Sequence, residues 1–191
     1  MSEMTFNTTA GSVVARKLLI LYLNTSTSST PVWSPVGKRV EDSSEEYDWG
    51  EESKRDIFGN VYTTLNAPII TQTFEPWELD SGDAAQQRVW NINVKDQDTM
   101  QIANQDLLVV HAYAGTAGTA TFAERYPSSM VKISGLGGSA SVGMPIDVTF
   151  GGERVTGAAA ISSGTVTFTP DNGSPQGGGS PQGGGSPEDD D

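Results

Sequence analysis

Apolar residues in this chain either fill short unbroken runs or recur at every second position, and both patterns belong to strands. "LLILYL" (18–23) and "LLVVHAY" (107–113) are continuous apolar runs, which predict strands covered on both faces. "IDVTF" (146–150) sets Ile146, Val148 and Phe150 against Asp147 and Thr149, and "TVTFT" (165–169) repeats the pattern with Val166 and Phe168. Such alternation puts one face inward and one outward. "VYTTL" (61–65), "IITQTF" (69–74) and "MVKI" (130–133) add Thr-rich and β-branched strands. Pro68 separates the first two of these, because proline cannot donate to a ladder. Gly151-Gly152 and Asn172-Gly173 predict chain reversals.

One segment has a different period. In "DSGDAAQQRVWNINVKDQD" (80–98), Ala85, Val89 and Ile92 fall at i, i+4 and i+7, a single helical stripe. Asp80 or Ser81 is expected to cap it, with Asp83 in the first turn at the positive end of the dipole. Asn91 and Asn93 lower the propensity, so this helix must lean on packing. The fold class expected is mostly β (α+β): an antiparallel β-barrel or sandwich with one flanking helix. It forms a single domain over 1–170, whose folded body ends near Thr169 and whose residues 1–12 form a flexible arm.

Residues 171–191 contain no apolar side chain and repeat the unit GSPQGG before closing on "EDDD". Nothing there offsets the entropy of ordering, so a flexible, solvated linker or tail is expected, natural or added. The whole chain of 191 residues carries a net charge of −13. Setting aside Asp171, Glu188 and Asp189–Asp191 leaves 11 basic and 19 acidic residues, or −8. That sign disfavours ordinary nucleic-acid binding, which draws on Lys and Arg. It leaves room for a protein that lies near DNA without holding it. The absence of cysteine removes disulfides, zinc-thiolate sites and thiol nucleophiles. The longest apolar run, Leu18–Leu23, is far below a membrane span, and residues 1–12 lack the basic start and apolar block of a secretory leader.

Candidate chemistry concentrates in "KRVEDSSEEYDWGEESKRDIFGN" (38–60). Sixteen residues from Glu41 to Asp56 include eight carboxylates and two basic residues, with Tyr47 and Trp49 in their midst. Aligned on Gly50, an EF-hand template would place Glu45, Tyr47 and Trp49 at three ligand positions, two of which then lack a carboxylate. Spacing leaves open an irregular calcium site or a hydrolytic carboxylate pair, although nothing suggests a sugar cleft. His111 is the only histidine, and no G-x-S-x-G elbow accompanies it. Its expected state is packed or hydrogen-bonded within a strand. "GLGGSA" (135–140) matches G-x-G-x-x-A but leads through Gly143 and Pro145 into a strand, which refutes a dinucleotide turn. "AYAGTAGTATFAERY" (112–126) lacks the P-loop Lys-Ser/Thr pair. Both read as flexible loops between strands. No enzyme signature remains, and no catalytic residue, metal ligand or cofactor is assigned.

Longer segments carry a resemblance that short motifs do not. "ARKLLILYLNT", "WSPVGKRVEDSSEEYDWGEESKRDIFGNVYTT", "PIITQTFEPWELDSGD", "NQDLLVVHAYAGTAG", "FAERYPSSMVKISGLGG" and "GMPIDVTFGGERVTG", in that order, resemble a major tail protein (tail tube protein) of long-tailed bacteriophages and prophages. The resemblance spans roughly 13–169 and rests on the series of segments, since the family has no compact catalytic signature. It implies a β-barrel or sandwich subunit whose hexameric rings join their inner sheets around a channel. Rings stack around the tape measure protein, and the tube later conducts DNA during genome ejection. Tail terminator and distal tail proteins are the further partners implied, with no membrane. The location implied is the virion tail, after assembly in the host cytoplasm. Some relatives append an immunoglobulin-like domain, and its surface-adhesion role is not carried over.

The family pattern places an extended arm after the second strand that reaches a neighbouring ring. On that basis the inter-subunit contact is expected at Lys38, Arg39, Glu41, Asp42, Glu45, Glu46, Tyr47, Asp48, Trp49, Glu51, Glu52, Lys54, Arg55 and Asp56. Tyr47 and Trp49 would be the anchors and the basic flanks a complementary strip, while Trp33 and Trp77 belong to the subunit core or its edge. The bland alternative is a solvated hairpin, whose surface charges contribute little. A second functional class, a carbohydrate- or host-surface-binding module of a phage tail, also fits a β-sandwich with glycine-rich loops.

Overall fold

The computed structural model describes residues 3–171. Among these, eleven strands form in the order β1 (Leu19–Asn24), β2 (Trp33–Pro35), β3 (Glu45–Asp48), β4 (Glu52–Arg55), β5 (Val61–Thr64), β6 (Ile69–Phe74), β7 (Gln105–Thr116), β8 (Ala120–Ile133), β9 (Ile146–Thr149), β10 (Val155–Ser162) and β11 (Thr165–Pro170). Between β6 and β7 lie α1 (Ala84–Trp90), a π-type turn (Asn91–Lys95) and the short α2 (Thr99–Ile102). The expected tail beyond Asp171 and the reversal at Asn172-Gly173 lie outside the described residues. Strand pairing is antiparallel throughout, in the order β2-β1-β7-β8-β9-β6-β3, with β10 and β11 branching from β8 and with β4-β5 as a separate pair.

The two apolar runs are buried on both faces, as their composition predicts. On β1 and β7, Leu21, Leu23, Leu107 and Val109 join one core, whereas Tyr22, Leu108 and Val110 point the other way into a second. The first core lies between this half of the sheet and the opposite half, where Ile70, Phe74, Val131, Ile146 and Val148 face it together with Ala85 and Val89 of α1. The second takes Trp33, Ala123, Ala159 and Val166, as the sheet curls to bring β11 towards β2. The result is a sandwich, and among the described residues no ladder joins β11 to β2 to close a barrel. Trp77, fully buried, sits in the first core and Trp33 in the second.

β8 makes the fold possible by changing partners along its length. Residues 121–125 pair with β10, while Met130–Ile133 pair with β9. Its β7-side ladder ends at Ser129, opposite Gln105. Beyond that point the vacated edge is met by Asn93, whose Nδ2 donates to Val131 O at 3.2 Å and whose Oδ1 accepts from Ile133 N at 3.1 Å. Asn93 thus weakens its helix and fastens it to the sheet, the packing dependence that its poor propensity foreshadows.

Two local expectations are corrected. Asp83, not Asp80 or Ser81, caps α1: its Oδ1 accepts from Ala85 N at 2.9 Å and Gln86 N at 3.1 Å. Asp80 instead closes the preceding turn, with Gly82 N donating to its Oδ1 at 3.0 Å. Residues 112–126 are not a loop but most of the β7-β8 hairpin, reversed over 117–119. Gly115 permits this, because a Cβ there would lie 2.5 Å from Ala120 O. Residues 5–7 of the expected N-terminal arm run along β7, with Asn7 N donating to Tyr113 O at 2.8 Å and Gly115 N to Thr5 O at 2.9 Å.

Leu107 and Leu108, adjacent and both fully buried, face opposite cores. Leu107→Ala and Leu108→Ala should therefore each cost about 2–5 kcal/mol in denaturant unfolding. A loss below about 0.5 kcal/mol at either one would mean that its face of β7 is not a core face.

Candidate assembly surface

The acidic stretch folds as the ascending half of one long, interrupted hairpin. At its root β3 pairs with β6, Glu45 opposite Gln72 and Asp48 opposite Ile69. The ladder then breaks at Trp49–Glu51 and resumes as β4-β5, Glu52 opposite Thr64 and Arg55 opposite Val61. The break is held by Asn66, whose backbone N–H donates to Trp49 O at 3.0 Å and whose Nδ2 donates to Gly50 O at 3.2 Å. Every residue of β4 and β5 is exposed, so this outer hairpin takes no part in either core.

The turn at its end is tightly made. Asp56 Oδ1 accepts from Phe58 N at 2.9 Å and Asn60 N at 2.8 Å, while Oδ2 accepts from Asn60 Nδ2 at 3.0 Å and Tyr62 Oη at 3.1 Å. These bonds, led by that from the Asn60 side chain, hold the Asp56 carboxyl below its usual range. Gly59 supplies the positive φ of 85°. With the backbone so committed, Ile57 and Phe58 are thrust outward at 94% and 83% exposure. Val61, Tyr62 and Leu65 add further exposed apolar surface along the returning strand.

The fourteen residues expected to form the contact are thus divided among several roles. Glu46, Asp48, Glu51, Glu52, Lys54 and Arg55 lie along the exposed hairpin, where Lys54 Nζ is 3.2 Å from Glu52 Oε2. Tyr47 and Trp49 stack at its root, ring centroids 6.3 Å apart and half-exposed. Lys38 and Arg39 are engaged within the chain, at 3.4 Å from Asp83 Oδ2 and 3.5 Å from Asp80 Oδ2. Glu41 is exposed, and Asp42 bridges Glu75. Asp56 builds the turn, and Glu45 turns inward.

Glu45 adjoins a polar cluster at the end of the first core. Glu124, 8% exposed, receives Tyr126 Oη at 2.6 Å and Arg154 Nε at 2.8 Å, with His111 Nε2 3.3 Å away. His111 Nδ1 lies 2.8 Å from Tyr113 Oη. The lone histidine is therefore packed and bonded in a strand, as expected. Burial alone would raise the Glu124 carboxyl, but the contacts from His111, Arg154 and Tyr126 prevail and hold it at about 2. Burial raises the Glu45 carboxyl, which accepts from Tyr47 Oη at 2.9 Å. Among the described residues no group of three or more histidines and carboxylates is placed to hold a metal ion.

Sequence reasoning stopped at Asp56 and missed Ile57, Phe58, Val61, Tyr62 and Leu65. A usable signal was present in "DIFGN": two large apolar residues between turn-forming Asp and Gly-Asn, where a solvated turn would carry polar side chains.

No protein-family model matches the chain, and no curated protein matches it. Among solved structures it is similar to a sheath/tube terminator of an extracellular contractile injection system in the extended state, at 11% identity and TM-score 0.48 over 78% of this chain and 99% of that one. It is also similar to the tube-terminating cap of the anti-feeding prophage, at 12% identity and TM-score 0.47 over 80% and 96%. A third similar chain comes from the sheath-tube complex of an extracellular contractile injection system in the extended state, at 12% identity and TM-score 0.46 over 78% and 94%. Similarity at this level assigns neither family nor role to this chain.

Two outcomes test the local physics. Glu124 titrates below its ordinary value of 4.5, so its stabilisation is complete above that pH and is lost as pH falls through about 2. Unfolding free energy should decline by about 1–2 kcal/mol over that window after allowance for solvent screening, and Glu124→Gln should flatten the decline. Asp56→Ala should speed amide exchange across Phe58–Tyr62 while changing global stability by no more than about 0.5 kcal/mol. Unchanged exchange would show that other bonds suffice to hold the turn.

Proposed function

We propose that this protein is the structural subunit of a phage tail tube, assembling as hexameric rings that stack around the tape measure protein. The channel so formed delivers DNA, and the chain performs no chemistry of its own. The observation that supports this most directly is the outer hairpin, Glu52–Thr64. It is tightly turned and wholly exposed, tipped with apolar side chains, and among the described residues it joins neither core.

Monomeric proteins rarely retain such an element, because exposed large apolar side chains invite association. The order of segments that resembles major tail proteins agrees with this reading. Antiparallel edges at β2 and β3 are available for pairing with neighbouring chains. A head-to-tail contact that closes by rotation makes a ring, and one repeated along an axis makes a stack, so a single chain suffices for both. The acidic balance of the body suits a conduit: phosphates passing a negative surface form no counterion-releasing contacts. Tail terminator and distal tail proteins would then meet the two ends of the tube, in the virion.

Negative-stain microscopy of the purified protein tests the reading, with rings of about sixfold symmetry or tubes expected. Replacing residues 50–65 by Asn-Gly joins Trp49 to Asn66, which are already hydrogen-bonded, and should leave β3-β6 folded while stopping tube growth. Full-length tubes from that variant would rule out the hairpin as the stacking element. A wild-type protein that stays monomeric across concentration and salt would overturn the proposal.

A further inference from the structure

The two edges of β7 are covered unequally. β1 pairs with one of them from Leu107 to His111, where Leu19 begins the ladder. Beyond His111 the named strands leave that edge open over residues 112–116, while β8 still holds the other, with Gly115 facing Thr121 and Thr116 facing Ala120. The open stretch reads Ala-Tyr-Ala-Gly-Thr, with no charged side chain or proline to discourage a further strand. Residues 5–7 fill it antiparallel, in the same sense as β1, with Phe6 opposite Ala114. Asn7 N donates to Tyr113 O at 2.8 Å, Gly115 N to Thr5 O at 2.9 Å, and Asn7 Nδ2 to Ala112 O at 3.0 Å. The Phe6 ring meets Tyr113 edge-on, centroids 5.4 Å apart. Residues 8–18 then leave the edge, and the chain returns to it at Leu19.

We propose that residues 112–116 form a strand-acceptor site for the chain's own N-terminal sequence, that residues 5–7 fill it as a displaceable strap, and that the same segment of a second copy can take its place. Main-chain bonds supply the hold, and selectivity comes from the two side chains that reach across, Phe6 on Tyr113 and Asn7 on the Ala112 carbonyl. The strap is lightly held. Met4 is 55% and Phe6 65% exposed, Thr5 and Asn7 are exposed as well, and none of the four belongs to either core. It can therefore lift without unpacking the sandwich. Its tether is equally uncommitted: residues 9–13 are exposed, Val13 at 95%, and carry one internal turn bond from Ser12 N to Thr9 O. A second copy presents an identical segment and remakes identical bonds, so exchange costs little beyond association itself.

The test uses the full chain in its free form, so its outcome is independent of tube assembly. Phe6→Ala and Asn7→Pro together, both at exposed positions, remove the ring contact, the donor to Tyr113 O and the donor to Ala112 O. Amide exchange at Gly115 should quicken by about tenfold in this variant while exchange at core residues of β7 stays unchanged. A synthetic peptide of residues 1–10, added at millimolar concentration to match what a short tether provides, should restore the protection. The same peptide with both substitutions should not. The wild-type chain should bind the labelled peptide at least about tenfold more weakly than the variant, because only its strap-open fraction is competent. Unchanged Gly115 exchange in the variant would show that the strap does not cover the edge. Failure of the wild-type peptide to restore protection would overturn the acceptor site, and equal restoration by the substituted peptide would overturn its selectivity for this sequence.

Discussion

Everything else in this fold hangs on the β7-β8 ladder and on the burial of both of its faces. A strand with one solvated face tolerates alternation, but β7 places Leu107 and Val109 in one core and Leu108 and Val110 in the other. A shift of one residue in register would exchange the two sets and mispack both cores at once. That double constraint fixes β8, and β8 then directs the rest of the chain. Its first half carries β10 and β11, its second half carries β9, β6 and β3, and Asn93 of the helical segment closes the edge where β7 leaves off.

The hairpin beyond β3 and β6 is built on the opposite principle. Its strands bury nothing, so it owes its shape to local bonds, four of them on Asp56 and two on Asn66. An isolated two-stranded hairpin is marginal in water, and here it gains from being continuous with a core-bound ladder. Near the first position of β3, the buried Glu124 carboxylate is paired with Arg154 and bonded by Tyr126 Oη, with His111 Nε2 at 3.3 Å.

The charges of the acidic stretch therefore do less, and different, work than their density suggests. Lys38 and Arg39 tie the chain to the start of α1 through Asp83 and Asp80, Asp56 shapes a turn, and the half-buried Glu45 accepts from Tyr47 Oη. Glu46, Asp48 and Glu51 remain exposed along the hairpin. Burying the exposed apolar side chains at the tip would release more free energy than forming exposed ion pairs there, which contribute little.

Much of this was legible in the sequence. Continuous apolar runs marked β1 and β7 as doubly buried, alternation marked β9 and β11, and the stripe Ala85-Val89-Ile92 marked the helix, because those patterns state directly how many faces a segment must hide. The hairpin was legible as an extended, charged excursion. What the sequence did not reveal depends on neighbours distant along the chain. Which aspartate caps α1 was decided by where Asp80 and Lys38 lie, and the strand character of 112–126 by a ladder that its glycines alone do not announce. Whether a given carboxylate ends in a network, a turn or solvent depends on the residues that come to face it. Sequence by itself determined which residues must be buried and which segments must be extended, since that follows from side-chain chemistry and period. Tertiary structure alone decided that β8 would serve two half-sheets and that no described part of the chain would fold over the Ile57-Phe58 turn. Both follow from which backbone edges and surfaces remain unoccupied once the long ladder has formed.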